Sequence, residues 1–373
     1  SLSFCIFIQI GMLPLIIYFQ YEAPAFSFLA NVAAVPLATC AFTLAFLLIF
    51  LPYTVFHEAI SWMIQGVLWI SRQSYGMLTI GHVPFLWVLL FYFMTGLWIW
   101  KKNGQNRHIR ISLAYVIMII LIWIPMARRK SLAFLDVGQG DCFVADTKSG
   151  AIIFDGGSSS EDQVGRYRIL PYMKYLGYQK IQIAVISHMD IDHYSGIKEL
   201  LEMGKIKYLG LPEIPKDETM KKIIGIAKKR GTTIFYLSRG RQITTKDGSL
   251  KVLHPQKNSQ MEKNAASLVM QGKILGYRVL LTGDVEKEGE EELLSEELER
   301  ADILKAAHHG SKNSTSNEFL QKVQPKQTVI SCGKQNRYGH PHLETIHRLQ
   351  TYRTKIYRTD RSGAIIFFKR RDG

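Results

Sequence analysis

The distribution of apolar residues divides the chain into two parts. Residues 1–130 contain long apolar stretches, whereas short apolar runs alternate with amphipathic segments from residue 131 onward. A helix needs roughly 20 mostly apolar residues to cross a bilayer. The first part therefore predicts four membrane spans, at about 25–51, 54–71, 83–100 and 109–126. A shorter stretch, 2–19, is interrupted by glycine and proline and predicts a re-entrant or broken helix.

The second part has the pattern of an α/β domain. Its short apolar runs predict strands, within 131–138, 142–147, 151–157, 181–186, 207–214, 232–238, 249–255, 267–271, 277–285, 301–311, 327–333 and 364–370. Helical patterns lie between them, for example at 217–231 and 286–300. This alternation is typical of mixed sheets with helices rather than a β-sandwich. The acidic segment 286–300 predicts a solvent-facing helix.

Charge and cysteine content narrow the class of protein. Residues 1–130 hold 8 basic and 2 acidic residues, and residues 131–373 hold 38 and 29. This excess of basic over acidic residues suits a polyanionic partner or an anionic bilayer surface, although a generically basic protein would also show it. No cysteine pair has C-x-x-C spacing, so we expect neither a zinc knuckle nor a disulfide framework. A single Cys142–Cys332 bridge is the alternative.

The segment SHMDIDHYSG, residues 187–196, carries the clearest indication of chemistry. It follows the buried-strand pattern at 181–186 and precedes a helical pattern, so its side chains lie on a strand-to-helix turn. Four of them can converge on one point: His188, Asp190, Asp192 and His193. Imidazole and carboxylate groups are ligands for borderline and hard divalent metals. The sequence therefore predicts a metal site here.

Two later motifs supply further candidate ligands. Asp284 ends an apolar strand in LLTGDVE, where its two carboxylate oxygens can bridge two metals. An ordinary turn aspartate is the alternative. In AAHHGSKNSTS, one of His308 and His309 can close the second metal position. A purely structural histidine pair is the alternative for these two residues.

Other polar residues are candidates for contact with substrate or ligands. Ser311, Lys312 and Ser314 offer hydroxyl groups and a positive charge suited to a phosphate oxygen. His340, on the loop NRYGHPH, can protonate a leaving oxygen or bind phosphate, with a capping or packing role as the alternative. Asp136, in LDVGQGD, can hydrogen-bond a ligand histidine.

The ordered set SHMDIDHYSG, TGD and HHGS resembles the metallo-β-lactamase fold. Together with LDVGQGDCF, FDGG, NAASLV, NRYGHPH and the apolar segment NVAAVPL, it is similar to the ComEC family, the competence channel proteins of DNA uptake. The resemblance covers essentially the whole chain. It leaves the family's earlier helices and its small N-terminal extracellular β-barrel outside this sequence. We therefore expect a polytopic α-helical membrane segment, residues 1–130, followed by a metallo-β-lactamase-like αββα sandwich, residues 131–373.

The resemblance also implies how the metal site is built. It places His188 and Asp190 at the first metal and Asp192 and His193 at the second, with Asp284 bridging and His309 or His308 completing the second site. Asp190 stands where the fold usually has a histidine. Asn264 stands where a further histidine usually precedes the TGD strand, and His254 is a poor substitute for it. Such an oxygen-rich site favours two Mn²⁺ or Mg²⁺ ions over Zn²⁺.

The function implied by the resemblance is metal-dependent hydrolysis of DNA. The expected catalytic residues are Asp192, Asp284, His340 and Lys312, and one strand would be degraded while the other enters the cell. We expect a multi-pass protein of the bacterial plasma membrane with an extracellular hydrolase domain, which the basic loop 101–110 also favours. Expected partners are single-stranded DNA, the lipid bilayer and other DNA-uptake machinery. The alternatives are a membrane-tethered phosphodiesterase for another substrate and a DNA-binding channel domain without catalysis.

Overall fold

The structure, a computed structural model, describes residues 2–24, 27–50, 54–72, 76–100, 129–262, 264–296 and 298–370. The chain divides into two compact units, residues 1–126 with 174–177 and residues 127–173 with 178–373. The predicted span at 109–126 lies outside the described residues.

The described part of the first unit is mainly helical. Its helices are α1 (Leu2–Gln20), α2 (Ser27–Leu47), α3 (Thr54–Arg72) and α4 (Phe85–Trp100). Strands β1 (Glu22–Pro24) and β2 (Met77–Thr79) pair antiparallel. The break predicted within 2–19 is absent, because α1 continues through Pro14.

The helices of the first unit differ in their ability to cross a bilayer. Among the described helices, Leu29–Leu47 alone is long and apolar enough to span a membrane by length and composition. Ile8–Gln20 and Phe85–Leu97 are shorter apolar helices. Helices α2, α3 and α4 lie where spans were predicted, but membrane crossing by α3 and α4 stays a prediction.

The second unit contains two seven-stranded sheets. The first has the spatial order β16 (Ile365–Phe368), β3 (Ser131–Phe134), β4 (Phe143–Thr147), β5 (Gly150–Phe154), β6 (Ile181–Val185), β7 (Ile206–Pro212) and β8 (Thr233–Leu237). The second has the order β15 (Lys355–Arg358), β14 (Gln327–Ile330), β13 (Ile303–Lys305), β12 (Tyr277–Leu281), β11 (Val269–Ile274), β10 (Gly248–His254) and β9 (Gln242–Thr245). Strands β5 to β8 run parallel, as do β12 to β15, and the remaining neighbours pair antiparallel.

Apolar side chains from both sheets form one buried core, which includes Phe134, Phe154, Met270 and Leu281. The larger helices of this unit are Ile191–Glu202, Glu218–Lys229, Lys287–Leu294, Asn317–Val323 and Leu343–Thr351. Shorter helical segments are Gly165–Ile169, Leu170–Tyr175, Ala307–Gly310 and Thr359–Ser362. A second apolar cluster packs three of the larger helices on the outer face of the second sheet. The domain is the α/β sandwich that the sequence predicts.

Strands β9 and β15 were not predicted from the sequence. Each lies at an edge of the second sheet and pairs with a single neighbour. Their side chains are mostly exposed or half-buried, so neither strand has a run of buried apolar residues. Pairing with the sheet, rather than local hydrophobicity, makes these segments strands.

The acidic helix Lys287–Leu294 is not simply a solvent-facing helix, which corrects the sequence expectation. Glu290 is buried, and its carboxylate accepts hydrogen bonds from the backbone amides of Thr315 and Ser316. Burial raises the pKa of Glu290. This carboxylate therefore ties the helix to the loop that follows His309.

The alternative disulfide is absent, since Cys142 and Cys332 are both free and buried.

Candidate metal centre

The candidate centre lies where parallel strands of both sheets end. Asp155 follows β5, the SHMDIDHYSG turn follows β6, Asp284 follows β12 and the His308–His309 pair follows β13. Ligands in α/β sheets commonly bind beyond the carboxyl ends of the strands. The sandwich therefore brings together motifs that are far apart in the sequence.

Four buried side chains form the most compact group. Asp141, His193, Asp284 and His309 each offer one ligand atom, and these atoms all lie within 4.8 Å of one another. The Asp284 Oδ2 atom is 3.1 Å from His193 Nε2 and 3.3 Å from His309 Nε2. A single carboxylate oxygen thus faces both imidazoles, which places Asp284 on the side of the centre that carries His193 and His309.

The rest of the predicted ligand set surrounds this group. Asp192 Oδ2 is 3.4 Å from His309 Nε2, and Asp190 Oδ2 is 3.6 Å from His188 Nε2. The rings of His188 and His193 have centroids 4.1 Å apart. The turn therefore presents its imidazoles side by side, with one carboxylate near His188 and the other near His309.

Two glycine-containing loops hold the ligand-bearing turn in place. The backbone amide of Asp141 donates to the carbonyl of Asp192 at 3.0 Å, and that of Gly156 donates to the carbonyl of His193 at 2.8 Å. A Cβ atom at Gly157 would lie 2.5 Å from the His193 nitrogen, and one at Gly140 would lie 2.2 Å from the Gly157 oxygen. These backbones approach too closely for any side chain, which explains Gly140 of VGQGD and Gly157 of DGG.

Hydrogen bonds orient the imidazoles so that their Nε2 atoms face the centre. His193 Nδ1 is 2.9 Å from Asp155 Oδ2, and His309 Nδ1 donates to the Ser331 carbonyl at 2.9 Å. Because a carbonyl only accepts, Nε2 of neutral His309 carries the lone pair. The Nε2 atoms of His188, His193 and His309 are buried without a well-aligned hydrogen-bond partner among the described residues. This donor set fits a divalent metal.

Asp155 takes the role that the sequence assigned to Asp136. The carboxylate of Asp136 accepts from the Gly138 amide in its own turn. Asp155 is fully buried and accepts from both the Ser187 amide, at 2.7 Å, and His193. The error arose because a strand-end aspartate 38 residues from its partner shows no local pattern.

Replacing Asp155 by asparagine should weaken metal binding. If the amide oxygen keeps the Ser187 bond, its NH₂ group faces His193 Nδ1 and forces the proton onto Nε2. Loss of such an orienting partner typically lowers metal affinity about 10- to 100-fold. Calorimetric Mn²⁺ titration of the full chain measures this change, with the exposed Asp162→Asn variant as control. Unchanged Mn²⁺ affinity in Asp155→Asn would contradict the assigned orientation.

Lys305 is a buried cation that the sequence analysis did not single out. Its Nζ atom forms an ion pair with Asp141, donates to the Gly283 carbonyl at 2.8 Å and lies 3.4 Å from Asp284 Oδ1. Burial lowers the pKa of Lys305, but the charges of Asp141 and Asp284 outweigh burial and raise it. One oxygen of Asp284 therefore faces the lysine while the other faces the imidazoles.

Charges within the centre are strongly coupled in the absence of metal. Burial opposes protonation of His309, but the carboxylates of Asp284 and Asp141 outweigh it and raise its pKa to about 10. Burial opposes ionisation of Asp192, but its interactions with His309 and His193 lower its pKa to about 2. A metal must displace imidazole protons, so metal binding should strengthen as the pH rises.

The two adjacent histidines are not equivalent. His309 belongs to the compact group, whereas His308 Nδ1 lies 2.8 Å from Glu286 and its Nε2 lies 3.9 Å from Asp284 Oδ2. Both residues have left-handed backbones, with φ values of 48° and 52°. This conformation costs of order 1 kcal/mol or more per residue and is often held at functional sites. His309 is the better ligand candidate.

The loop after His309 carries Ser311 and Ser314, whose hydroxyls hydrogen-bond nearby backbone and whose contact with a phosphate stays a prediction. The Ser314 hydroxyl is buried and donates to the Ala307 carbonyl at 2.9 Å. The Ser311 hydroxyl is also buried and accepts from the Asn313 amide. These hydroxyls stabilise the loop because its backbone bends sharply and needs local partners. Lys312 is exposed, and its contact with substrate stays a prediction.

His340 lies beside the centre on one wall of a cavity of about 250 Å³. The cavity is lined by Gln139, Ser159, Asp190, Ile191, Asp192, Asp284, His308, His309, Tyr338 and His340. Burial and the neighbouring His309 and His308 imidazoles lower the pKa of His340 to about 4. His340 is therefore a neutral imidazole at neutral pH, and its Nδ1 atom is buried without a hydrogen-bond partner among the described residues.

The histidine missing before the TGD strand is not replaced by His254. Its Nε2 atom is 2.7 Å from the Ala265 carbonyl, and its Nδ1 atom is 3.0 Å from Glu292. Asn264 and Asp190 instead share the lining of an adjoining cavity of about 600 Å³. The side of the centre that carries His188 and Asp190 is therefore poorer in imidazoles than the side that carries His193 and His309.

Two families match this chain. Residues 135–334, more than half of the chain, match the Metallo-beta-lactamase superfamily. Residues 2–105 match the Competence protein family. The solved structure of the metallo-beta-lactamase fold protein YhfI from Bacillus subtilis is 13% identical, with a TM-score of 0.44 and coverage of 63% of this chain and 99% of that chain.

Curated relatives carry competence names. ComE operon protein 3 of Bacillus subtilis is 31% identical over 400 residues, covering 98% of this chain and 51% of that protein. Competence protein ComA of Neisseria gonorrhoeae is 30% identical over 248 residues, covering 64% of this chain and 32% of that protein. This chain spans about half the length of the first of these relatives and about a third of the second. It belongs to the ComEC family of competence proteins and carries a metallo-β-lactamase superfamily domain.

Proposed function

We propose that this chain is part of a bacterial DNA-uptake membrane protein whose metallo-β-lactamase domain hydrolyses DNA phosphodiesters. The strand that is not transported would be its substrate. The observation that carries the proposal is the buried group of Asp141, His193, Asp284 and His309, of which Asp284 and His309 also line a cavity. Imidazole and carboxylate atoms converge there on one point, as hydrolytic metal centres require.

We propose that two divalent metals occupy the centre, with Mn²⁺ or Mg²⁺ favoured over Zn²⁺. The His188 side has one imidazole, whereas the other side has those of His193 and His309, and hard cations prefer oxygen ligands. His188 and Asp190 would hold one metal, Asp192, His193 and His309 the other, and Asp284 would bridge them. A bound divalent metal supplies Lewis-acid stabilisation of the charge that develops on a phosphodiester during hydrolysis.

The chain's own residues would orient the substrate and limit the charge of the centre. Lys305 offsets part of the negative charge of Asp141 and Asp284. His340 lines the cavity as a neutral imidazole and can donate or accept one hydrogen bond at the phosphate or the leaving oxygen. We retain Lys312 as a candidate phosphate contact, because its exposed ammonium can move towards an anionic substrate.

We propose that residues 1–130 form part of a multi-pass channel domain in the plasma membrane. Large apolar side chains on its helices are exposed in the isolated chain, such as Phe42 at 75% and Trp62 at 76%. Exposed apolar surface of this kind favours burial in lipid or against other membrane helices. The hydrolase domain would then be extracellular, with single-stranded DNA, the bilayer and other DNA-uptake machinery as partners.

Cleavage assays of the full chain in lipid nanodiscs test the proposed activity. Labelled single- and double-stranded DNA and bis(p-nitrophenyl) phosphate would be incubated with Mn²⁺, Mg²⁺ or Zn²⁺ in turn, with chelator as control. We expect DNA cleavage that requires Mn²⁺ or Mg²⁺. Cleavage of the small diester alone would favour a phosphodiesterase for another substrate. DNA binding that is insensitive to chelator, without any cleavage, would favour a binding-only channel domain.

A further inference from the structure

We propose that Tyr338 forms a nucleobase-stacking subsite at the rim of the metal centre, which selects single-stranded nucleic acid over small phosphodiesters. This inference rests on the proposed function. Tyr338 lines the same cavity as Asp192, Asp284 and His309, so a base stacked on it would flank a phosphate held at the centre. Tyr338 is 43% exposed, although it lies beside a buried site.

The loop that carries Tyr338 is held in position by one side chain. The Asn336 amide donates to the Gly333 carbonyl at 2.9 Å and to the His340 carbonyl at 2.6 Å, and its oxygen accepts from the His340 amide at 3.0 Å. The Tyr338 ring is stacked with His340, with centroids 5.7 Å apart and planes 21° from parallel. The ring is therefore presented in one orientation, which lowers the entropic cost of binding a base.

The planar guanidinium of Arg337 already lies against the Tyr338 ring. The Arg337 guanidinium lies 4.9 Å from the ring centroid and donates to the Tyr338 hydroxyl at 2.7 Å. The Arg337 side chain is exposed. A nucleobase can take the place of the guanidinium, because both are planar groups that stack on aromatic rings. The freed guanidinium can then pair with a backbone phosphate.

The distribution of charge around the centre should direct a polyanion towards the Tyr338 rim of the cavity. The adjoining cavity on the far side of Asp190 is lined by three glutamates, Glu262, Glu286 and Glu288, with Lys287 as its cation. The loop that carries Tyr338 also carries exposed Arg337 and Lys334. Phosphates following the scissile one are repelled by the acidic wall and attracted to the Tyr338 rim.

The Tyr338 ring would recognise unpaired bases. In a duplex the faces of the bases are stacked on one another, so a tyrosine at the rim reaches a base face only in a single strand or at a frayed end. Stacking tolerates every base, so the subsite would select strandedness rather than sequence. A small phosphodiester without a base would not use Tyr338.

Oligonucleotide binding by the full chain tests this subsite. Affinities would be measured by fluorescence anisotropy in nanodiscs, in an Asp192→Ala background so that the strand is not cleaved. The probes are a labelled thymidine strand and an abasic deoxyribose-phosphate strand of the same length. Tyr338→Ala should weaken binding of the thymidine strand by about 5- to 150-fold and leave the abasic strand unchanged. Tyr338→Trp should retain thymidine binding, and Tyr167→Ala, at another exposed tyrosine, should have no effect.

The possible results separate this inference from the proposed function. Equal thymidine affinity with and without Tyr338, or an equal loss on the abasic strand, overturns the stacking subsite while DNA hydrolysis stands. If the parent background binds neither strand and the chain with Asp192 intact cleaves only bis(p-nitrophenyl) phosphate, DNA itself is not the substrate. The stacking subsite is then refuted together with the proposed function.

Discussion

Replacing Asp192 by alanine is expected to lower DNA cleavage by about 10³-fold or more, because several kcal/mol of charge stabilisation depend on intact metal ligands. Asp192 lies 3.4 Å from His309 and joins the SHMDIDHYSG turn to the histidine loop. Its lowered pKa, about 2, keeps it anionic at any pH at which the protein would work. It is therefore available as a ligand without losing a proton.

The fold should survive this change. Asp192 is in the first turn of the helix Ile191–Glu202 and its side chain is partly exposed, so the helix should keep its amide hydrogen-exchange protection. Metal content, measured by plasma mass spectrometry, should fall together with activity. Asp162→Ala, at an exposed aspartate outside the cavity, is the matched control. Full cleavage activity in Asp192→Ala would refute the proposed catalytic centre.

Replacing Lys305 by methionine is expected to lower the free energy of unfolding of the metal-free domain by about 3–5 kcal/mol, since removal of one partner leaves buried charge uncompensated. Lys305 is 4% exposed, and its partners Asp141 and Asp284 are 4% and 3% exposed. Methionine keeps most of the volume of the side chain, so lost charge rather than a cavity would dominate. A bound cation should replace part of the missing charge, and Mn²⁺ should therefore stabilise this variant more than it stabilises the original chain.

The measurement must report on the hydrolase domain alone. All six tryptophans lie within residues 1–130, so their fluorescence would report on the wrong part of the chain. Hydrogen exchange of peptides from residues 131–373 in increasing urea, with and without Mn²⁺, gives the required stability. Lys198→Met is the control, because its ion pair with Glu202 is exposed and is worth about 0.5 kcal/mol or less. Equal metal-free stability of Lys305→Met and the original chain would refute the role given to Lys305.

Local patterns were sufficient for the architecture of the α/β domain and for one half of the centre. Buried strands can be recognised from short apolar runs, and the SHMDIDHYSG turn places four polar groups at the end of one of these strands. Edge strands β9 and β15 lacked that signal, since they bury little and depend on a neighbour for pairing. The burial of Glu290 could not be predicted from the sequence either, because its partners come from a loop 25 residues away.

The linear order of residues was enough to identify most strands of the α/β domain, the metal-capable turn and the family, because these depend on spacing and side-chain type. It could not show that Asp155 rather than Asp136 orients His193, or that Lys305 lies among the carboxylates. The first contact joins the ends of the neighbouring strands β5 and β6, and the second joins the two sheets, so both distances follow from how the chain packs. The same packing buries the hydroxyls of Ser311 and Ser314 and leaves the ring of Tyr338 open at the cavity rim. Burial and long-range proximity are properties of the folded chain, so only the tertiary structure could decide them.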